Sequence, residues 1–291
     1  IKLINIRYNI YLFRKKPYKL EITSMIKLEK FINFQELKFI KTNDQLWLTE
    51  VFKKFSGFPT LEKLWKIMDE IWEEYGCDDR NLDSRVENFY SHPVWLLNGL
   101  FIEQHQESIN NRQIFTKWVI AQKPKRIADY GGGFGTLARM IAKSCPNADV
   151  EIIEPHPHRL AIERANSIDN LSYQKKLEGK YDILIATDVF EHVLDPLALA
   201  AKTSMSLKTD GLYLIANCFE PVIKCHLSQY YHFYHTFNHA LEAMNLKIVD
   251  KLIVGTTDNI NKDYFFSIDE RISLINLSLF KDLRLNKKKL K

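Results

Sequence analysis

Glycine residues and one acid are spaced for cofactor binding in segment 126–138, which reads RIADYGGGFGTLA. A short apolar run ends at Asp129 and Tyr130, and glycines follow at positions 131, 132, 133 and 135. Glycine accepts backbone angles that other residues avoid, and its missing side chain lets a ligand approach the main chain. The pattern from Thr136 to Ser144 predicts a helix, whose first N–H groups form a positive dipole end. The segment therefore predicts a strand, a loop and a helix that bind a nucleotide-like cofactor.

The spacing of the acid and the glycines separates two classes of cofactor. A dinucleotide loop follows G-x-G-x-x-G or ends in alanine. Counted from Gly131 the last position is Thr136, and counted from Gly133 the acid is left unexplained. The spacing acid-x-G-x-G-x-G is instead matched completely by Asp129, Gly131, Gly133 and Gly135.

This spacing resembles the first motif of the class I S-adenosylmethionine (SAM)-dependent methyltransferases, and the resemblance covers roughly residues 125–267. It implies that Asp129 lies near the methionyl part of SAM and helps to hold its ammonium group. A cationic amine and the absence of a pyrophosphate make an acid beside the loop favourable. Dinucleotide binding, and a glycine-rich turn that binds nothing, are the alternatives.

A second acid stands at the end of the next predicted strand, Val150 to Glu154. A carboxylate in this place can accept two hydrogen bonds from a ribose diol, and the resemblance implies that role for Glu154. The family often carries an acid after the third strand, where it contacts adenine. This chain has none there, so the amide of Gln174 is the expected substitute, with backbone atoms as the alternative.

The fourth predicted strand, Tyr181 to Thr187, is followed by Glu-His-Val-Leu-Asp-Pro after three intervening residues. Strands of this family continue into a similar stretch. The resemblance implies that Thr187 and Asp188 line the cofactor near its sulfonium. His192 belongs to the same stretch and is a candidate for facing the acceptor.

Four of the nine histidines fall between His226 and His239, directly after the fifth predicted strand. Ligands bind beyond the carboxyl ends of the strands in open parallel sheets, so this segment is expected to border an acceptor pocket. A general base helps only when the nucleophile must lose a proton, and the candidates are His192, His226 and His232. A helix start that packs on the sheet is the second interpretation. A metal site from His232, His235 and His239 is the third, and no metal is assigned.

Strand-like and helix-like segments alternate from residue 125 onward, which predicts an α/β fold. The expected architecture is a doubly wound, mostly parallel, seven-stranded Rossmann-like sheet with a helical N-terminal extension. The regions are 1–123, a helical lid or dimerisation region; 124–270, the SAM-binding domain; and 271–291, a C-terminal tail. A last strand is expected over Asp263 to Ser267, and Tyr90 and its neighbours are expected in a lid loop.

The bulk composition fits an ordinary globular protein: 291 residues, 46% hydrophobic and 26% charged, with a formal charge of +5. Four cysteines are scattered without a Cys-x-x-Cys pair, which favours a reducing compartment and a cytoplasmic location. No apolar run reaches the ~18 residues that span a bilayer. No basic and aromatic patch points to nucleic acid, and a homodimer is a further expectation.

These observations predict SAM-dependent methyl transfer to a small-molecule acceptor by in-line displacement, with S-adenosylhomocysteine (SAH) as product. O-methylation is favoured over N- or C-methylation. A non-catalytic SAM-binding or scaffold protein is the alternative from another class. An NAD(P)-dependent Rossmann oxidoreductase is the alternative among enzymes.

Overall fold

The computed structural model of the protein describes residues 32–244, 246–252 and 272–276. Helices form most of the described chain before residue 123, and their apolar side chains are buried between them. For example, Leu64, Met68, Ile71 and Trp72 lie on the buried side of the second helix, at the helical spacing seen in the sequence. The N-terminal helices are α1 (Thr42–Phe55), α2 (Leu61–Glu74), α3 (Ser84–Tyr90), α4 (Val94–Ile102) and α5 (Gln106–Ala121).

A mixed sheet follows, in the spatial order β3-β2-β1-β4-β5-β7-β6. The first five strands pair in parallel, whereas β7 is antiparallel to both β5 and β6. The strands are β1 (Arg126–Tyr130), β2 (Asp149–Ile153), β3 (Leu171–Gln174), β4 (Tyr181–Thr187), β5 (Leu207–Ala216), β6 (Lys247–Leu252) and β7 (Ile272–Asn276). The helices between them are α6 (Thr136–Ser144), α7 (Arg159–Asn166), α8 (Pro196–Ser204) and α9 (Phe233–Ala243).

The predicted α/β class, with a Rossmann-like and mostly parallel sheet, is confirmed. The strand expected over Asp263 to Ser267 lies outside the described residues. β7 lies inside the range 271–291 that the sequence assigned to a tail, and its pairing with β5 places those five residues in the sheet.

Strand β5 begins earlier than its sequence pattern indicates. The apolar run that marks this strand in the sequence begins only at Gly211, but α8 ends at Ser204 and β5 starts at Leu207. Leu207 is buried and pairs with Tyr181, and the register shifts between Tyr181 and Ile183. Cross-strand pairing therefore draws the polar stretch after Leu207 into the strand, which local alternation could not predict.

The apolar core crosses the boundary expected at residues 123 and 124. The side chains of α1 to α4 pack in one cluster with Phe134, Leu160, Ala161 and Ile223 of the sheet region. Two further clusters cover the two faces of the sheet. Over the described ranges, no helix combines the length and the apolar character that crossing a membrane requires.

Candidate active site

The glycine loop after β1 has a backbone that glycine makes accessible. Gly131, Gly133 and Gly135 have φ angles of 70°, 52° and 75°, in the left-handed region. A Cβ on Gly135 would lie 2.7 Å from Ile152 Cδ1 and 2.8 Å from the Tyr173 hydroxyl oxygen. The loop therefore presents its main chain directly to whatever lies above the carboxyl end of β1.

Asp129 lies beneath this loop and is only 2% exposed. Its Oδ1 accepts no hydrogen bond from any described residue. Burial raises the pKa of the carboxyl group to about 7; the positive charge of Arg112 acts against this rise, and the negative charge of Glu154 adds to it. A buried carboxylate of this kind is stabilised by a cation, and the ammonium group of SAM is one.

Glu154, at the end of β2, accepts two backbone hydrogen bonds. Its Oε2 lies 3.0 Å from the Gly133 nitrogen, and its Oε1 lies 3.0 Å from the His156 nitrogen. The hydroxyl group of Tyr173 donates to the Gly133 carbonyl oxygen at 2.9 Å. The second acid thus lies against the glycine loop. Gln174 is exposed at the end of the neighbouring strand, where its amide donates to the Ser172 hydroxyl oxygen at 3.2 Å.

Thr187 and Asp188 end β4 on the other side of β1. Asp188 has a left-handed φ of 53°, and its N–H donates to the Ala216 carbonyl oxygen at 2.9 Å. The Asp188 side chain is accessible to solvent, yet the surrounding protein raises the pKa of its carboxyl group.

Arg112 is a site residue that the sequence motifs missed. It lies half-buried on α5, where its Nη1 donates to the Ser108 carbonyl oxygen at 3.0 Å. Its positive charge acts against the burial that raises the pKa of both Asp129 and Asp188, which makes it a candidate site residue. Its position on a helix before the first strand carried no local signal of this role.

Two of the three candidate histidines come together. The rings of His192 and His226 are 4.9 Å apart between centroids, and they meet edge to face. His232 is exposed, and its ring packs against Phe233 at 4.3 Å. His235 is exposed too, so these side chains of the proposed helical metal site lie at the surface.

Backbone carbonyl groups orient the paired rings. The Nδ1 of His192 lies 3.0 Å from the Cys225 carbonyl oxygen, and the Nδ1 of His226 lies 2.7 Å from the Glu220 carbonyl oxygen. Burial lowers the pKa of His192 to about 3, with a further contribution from His226, and lowers the pKa of His226 to about 4. Both imidazoles are therefore neutral at neutral pH.

Glu191 completes this cluster and is 1% exposed. Its Oε1 accepts the Cys218 N–H at 2.7 Å, and its backbone oxygen accepts the Leu227 N–H at 2.8 Å. These bonds join the turn after β4 to the segment after β5. Glu191 and His192 thus lie next to His226 at the edge of the sheet where β4 and β5 end.

Tyr90, at the end of α3, contacts both the loop after β2 and the loop after β4. Its ring stacks on His156 at 6.4 Å with an interplanar angle of 11°, and it meets His192 edge on at 6.4 Å. Trp95 packs beside it at 5.0 Å. Burial raises the pKa of the Tyr90 hydroxyl group, so this group stays protonated. The N-terminal helices therefore place an aromatic ring between the loop after β2 and the loop after β4.

Ion pairs attach the same helices to the glycine loop. Glu103, at the end of α4, pairs with both Arg139 of α6 and Arg164 of α7, and Arg164 also pairs with Glu36. The Nη1 of Arg139 donates to the Phe134 carbonyl oxygen at 2.6 Å, and both guanidinium groups lie 5.4 Å from the Phe134 ring. The loop residue Phe134 is thereby held by guanidinium groups from α6 and α7, and Glu103 joins both groups to α4.

Comparisons with known proteins agree with this geometry. Residues 110–247 match the family model for a methyltransferase domain. A malonyl-[acyl-carrier protein] O-methyltransferase from Halalkalibacterium halodurans is 26% identical over 141 residues, 44% of this chain and 49% of that protein. A phosphopantetheine adenylyltransferase from Pelagibacter ubique is 44% identical over 57 residues, 19% of this chain and 34% of that protein. The chain thus spans about half or less of the length of these relatives.

One solved structure adds the fold. An O-methyltransferase family protein from Burkholderia thailandensis superposes with a TM-score of 0.50 at 13% identity, covering 74% of this chain and 69% of that one. At this identity the likeness shows the fold alone. The matched domain contains Asp129, the glycine loop and Glu154, which are the residues expected to hold SAM, the methyl donor of the family. The chain thus carries a methyltransferase domain over residues 110–247, consistent with the class I SAM-dependent methyltransferases.

Proposed function

We propose that the protein transfers the methyl group of SAM to a small-molecule acceptor, with oxygen as the favoured nucleophile. The observation that carries the proposal is the buried Asp129 carboxyl group beneath a loop of left-handed glycines. SAM brings a cation to that carboxylate and a ribose diol to Glu154. The similarity to a malonyl-[acyl-carrier protein] O-methyltransferase supports oxygen over nitrogen or carbon.

Each cofactor group has a proposed partner. Asp129 binds the ammonium group, and Arg112 binds the carboxylate of the methionyl part, since its positive charge already acts on the Asp129 carboxyl group. Glu154 accepts the ribose hydroxyl groups, and Gln174 offers its amide to adenine. Thr187 and Asp188, at the end of β4, complete the wall beside the sulfonium.

The acceptor is proposed to bind between Tyr90 and the histidine pair. Methyl transfer is an in-line displacement from an activated sulfonium, so positioning of the nucleophile supplies much of the rate. With pKa values of about 3 and 4, His192 and His226 are poor proton acceptors at neutral pH. We therefore assign them to positioning the acceptor rather than to removing its proton, and place His232 at the exposed rim.

The helical region 1–123 is proposed as a lid over the acceptor or as a dimer contact, and region 124–270 as the SAM-binding domain within a seven-stranded sheet. The contacts of Tyr90 with His156 and His192 support the lid role. Light scattering on the full chain tests the dimer: a mass near 34 kDa would contradict it.

Calorimetry with SAM, SAH, NADH and NADPH tests the cofactor assignment. We expect binding of SAM and SAH and none of the nicotinamide cofactors. Asp129→Asn and Glu154→Gln should each weaken SAM binding at least ~10-fold, the loss of one charge-assisted interaction. Asp149→Asn, at the exposed start of β2, is the matched control and should leave SAM affinity unchanged.

Mass spectrometry of acceptor mixtures separates the enzyme from a silent SAM-binding protein. An enzyme adds 14 Da to an acceptor and forms an equal amount of SAH. SAM binding without turnover on a panel of phenols, carboxylic acids and amines would favour the scaffold alternative. Absence of binding to both SAM and SAH would overturn the cofactor assignment.

A further inference from the structure

Three potential metal ligands converge beyond β4. One ligand atom from each of Glu191, His192 and His226 lies within 4.8 Å of the other two. Ligands about 2.0–2.2 Å from one ion are about 3–4 Å apart. Displacements of about 1 Å in the ligand atoms would therefore bring these three atoms around a single ion.

The hydrogen bonds of the two imidazoles fix which nitrogen carries a lone pair that can bind an ion. Each Nδ1 lies within hydrogen-bonding distance of a backbone carbonyl oxygen, which only accepts, so each Nδ1 carries the proton. The lone pair of each neutral ring is then on Nε2. Histidine ligands of metals commonly donate their other ring N–H in this way, and the bond fixes the tautomer and the orientation of the ring.

The remaining ligand is a buried carboxylate held on a rigid turn. The Cys218 N–H and the Leu227 N–H bond to the side chain and the backbone of Glu191, respectively. Two imidazoles and one carboxylate are the set that catalytic zinc sites and non-haem iron sites use while keeping open positions. Because His192 is partly exposed, the cluster opens toward solvent on that side.

We propose that Glu191, His192 and His226 bind one divalent first-row transition-metal ion whose open positions take an oxygen atom of the acceptor. The role in catalysis rests on the proposed methyl transfer, whereas metal binding by itself does not. A hydroxyl group bound to the ion loses its proton to solvent water more easily. The resulting oxygen anion forms the bond to the methyl carbon, the bond from that carbon to sulfur breaks, and the electron pair stays on sulfur as the thioether of SAH.

Cobalt(II) titration of the chelator-treated full chain tests the metal site directly. We expect one equivalent of Co²⁺ per chain, visible absorption from a site of low coordination number, and displacement by Zn²⁺. His226→Gln should weaken Co²⁺ binding at least ~100-fold, since loss of even an outer partner costs 10–100-fold. His239→Gln, on the exposed side of α9, is the matched control and should bind as the wild type does.

A second variant and a second readout keep the test decisive. If His226→Gln does not fold, His192→Gln, at a less buried position, replaces it. Metal binding should also raise the melting temperature of the wild type and not that of the variant, because an ion that binds only the folded chain stabilises it. Absence of stoichiometric Co²⁺ binding, or equal binding by the variant and the control, overturns the metal site.

Measuring SAM binding alongside separates this inference from the proposed function. SAM binding without a Co²⁺ site removes only the metal inference. A Co²⁺ site in a chain that binds neither SAM nor SAH removes the proposed function and leaves the metal site. With both present, chelation should lower kcat for a hydroxyl acceptor without changing SAM affinity.

Discussion

Protonation of Asp129 gives the most exact prediction about cofactor binding. Burial moves the pKa of this carboxyl group from 3.8 to about 7. At about 1.36 kcal/mol per pH unit, ionising it inside the free protein costs about 4 kcal/mol. The folded state binds this proton more tightly than the unfolded state. The free energy of unfolding therefore decreases as pH rises from about 4 through 7.

SAM reverses this preference, because its ammonium group favours the ionised carboxylate. Binding should therefore release about half a proton at pH 7 and nearly one proton at pH 6. The dissociation constant of SAM should be about fivefold higher at pH 6 than at pH 7. An α-amino group has a pKa near 7.7–8.0, so the ligand stays mostly charged over this range.

Calorimetry in two buffers of different ionisation enthalpy measures the released proton. Asp129→Asn should abolish the release, weaken SAM binding at pH 8, and raise the melting temperature of the free protein at pH 8. Glu154→Gln changes a carboxylate that contacts the glycine loop outside the apolar core. It should weaken SAM binding and leave the proton release unchanged. A SAM affinity that does not change between pH 6 and 7, or proton release by Asp129→Asn, would refute the reasoning.

Three further outcomes test the loop, the ion pairs and the aromatic ring. Gly135→Ala should lower the free energy of unfolding by about 3 kcal/mol, as overpacking adds to backbone strain. Gly133→Ala, whose nearest Cβ neighbour would be 4.0 Å away, should cost about 1–2 kcal/mol; equal values in urea denaturation would contradict the packing argument. Glu103→Gln should cost about 3 kcal/mol, because it leaves partly buried guanidinium groups without a counter-charge. Glu178→Gln, in an exposed pair, should cost less than about 0.5 kcal/mol of unfolding free energy, also measured by urea denaturation. Tyr90→Leu should raise the acceptor KM by about tenfold with SAM affinity unchanged; a matching loss of SAM affinity would assign Tyr90 to the cofactor instead.

Local patterns predicted the cofactor half of the site. Asp129 and Glu154 each stand at the end of a strand, and the glycines between them mark the positions that need a left-handed backbone. The parallel order of β1, β2 and β4 then brings Thr187 to the same edge. Strand ends and glycine spacing are short-range features, so one sequence was enough to predict where these residues lie.

The proposed acceptor side of the site, around His192 and His226, depends on tertiary contacts between segments far apart in the chain. His226 meets His192 because two loops after different strands fold onto each other through Glu191 and Leu227. Arg112 acts on the pKa of Asp129 from a helix before the first strand. No periodicity encodes such long-range interactions, so the histidines were candidates without a geometry and no sequence pattern pointed to Arg112.

The ion pairs around Phe134 have a consequence for how this chain can be divided. A fragment that starts at residue 124 would keep Arg139 and Arg164 but lose Glu103 and Glu36, which compensate their charge. It would also expose the apolar surface that α1 to α4 cover. Exchange of the helical region between related proteins must therefore carry these acids along. The glycine loop and the helices above it therefore pack as one structural unit.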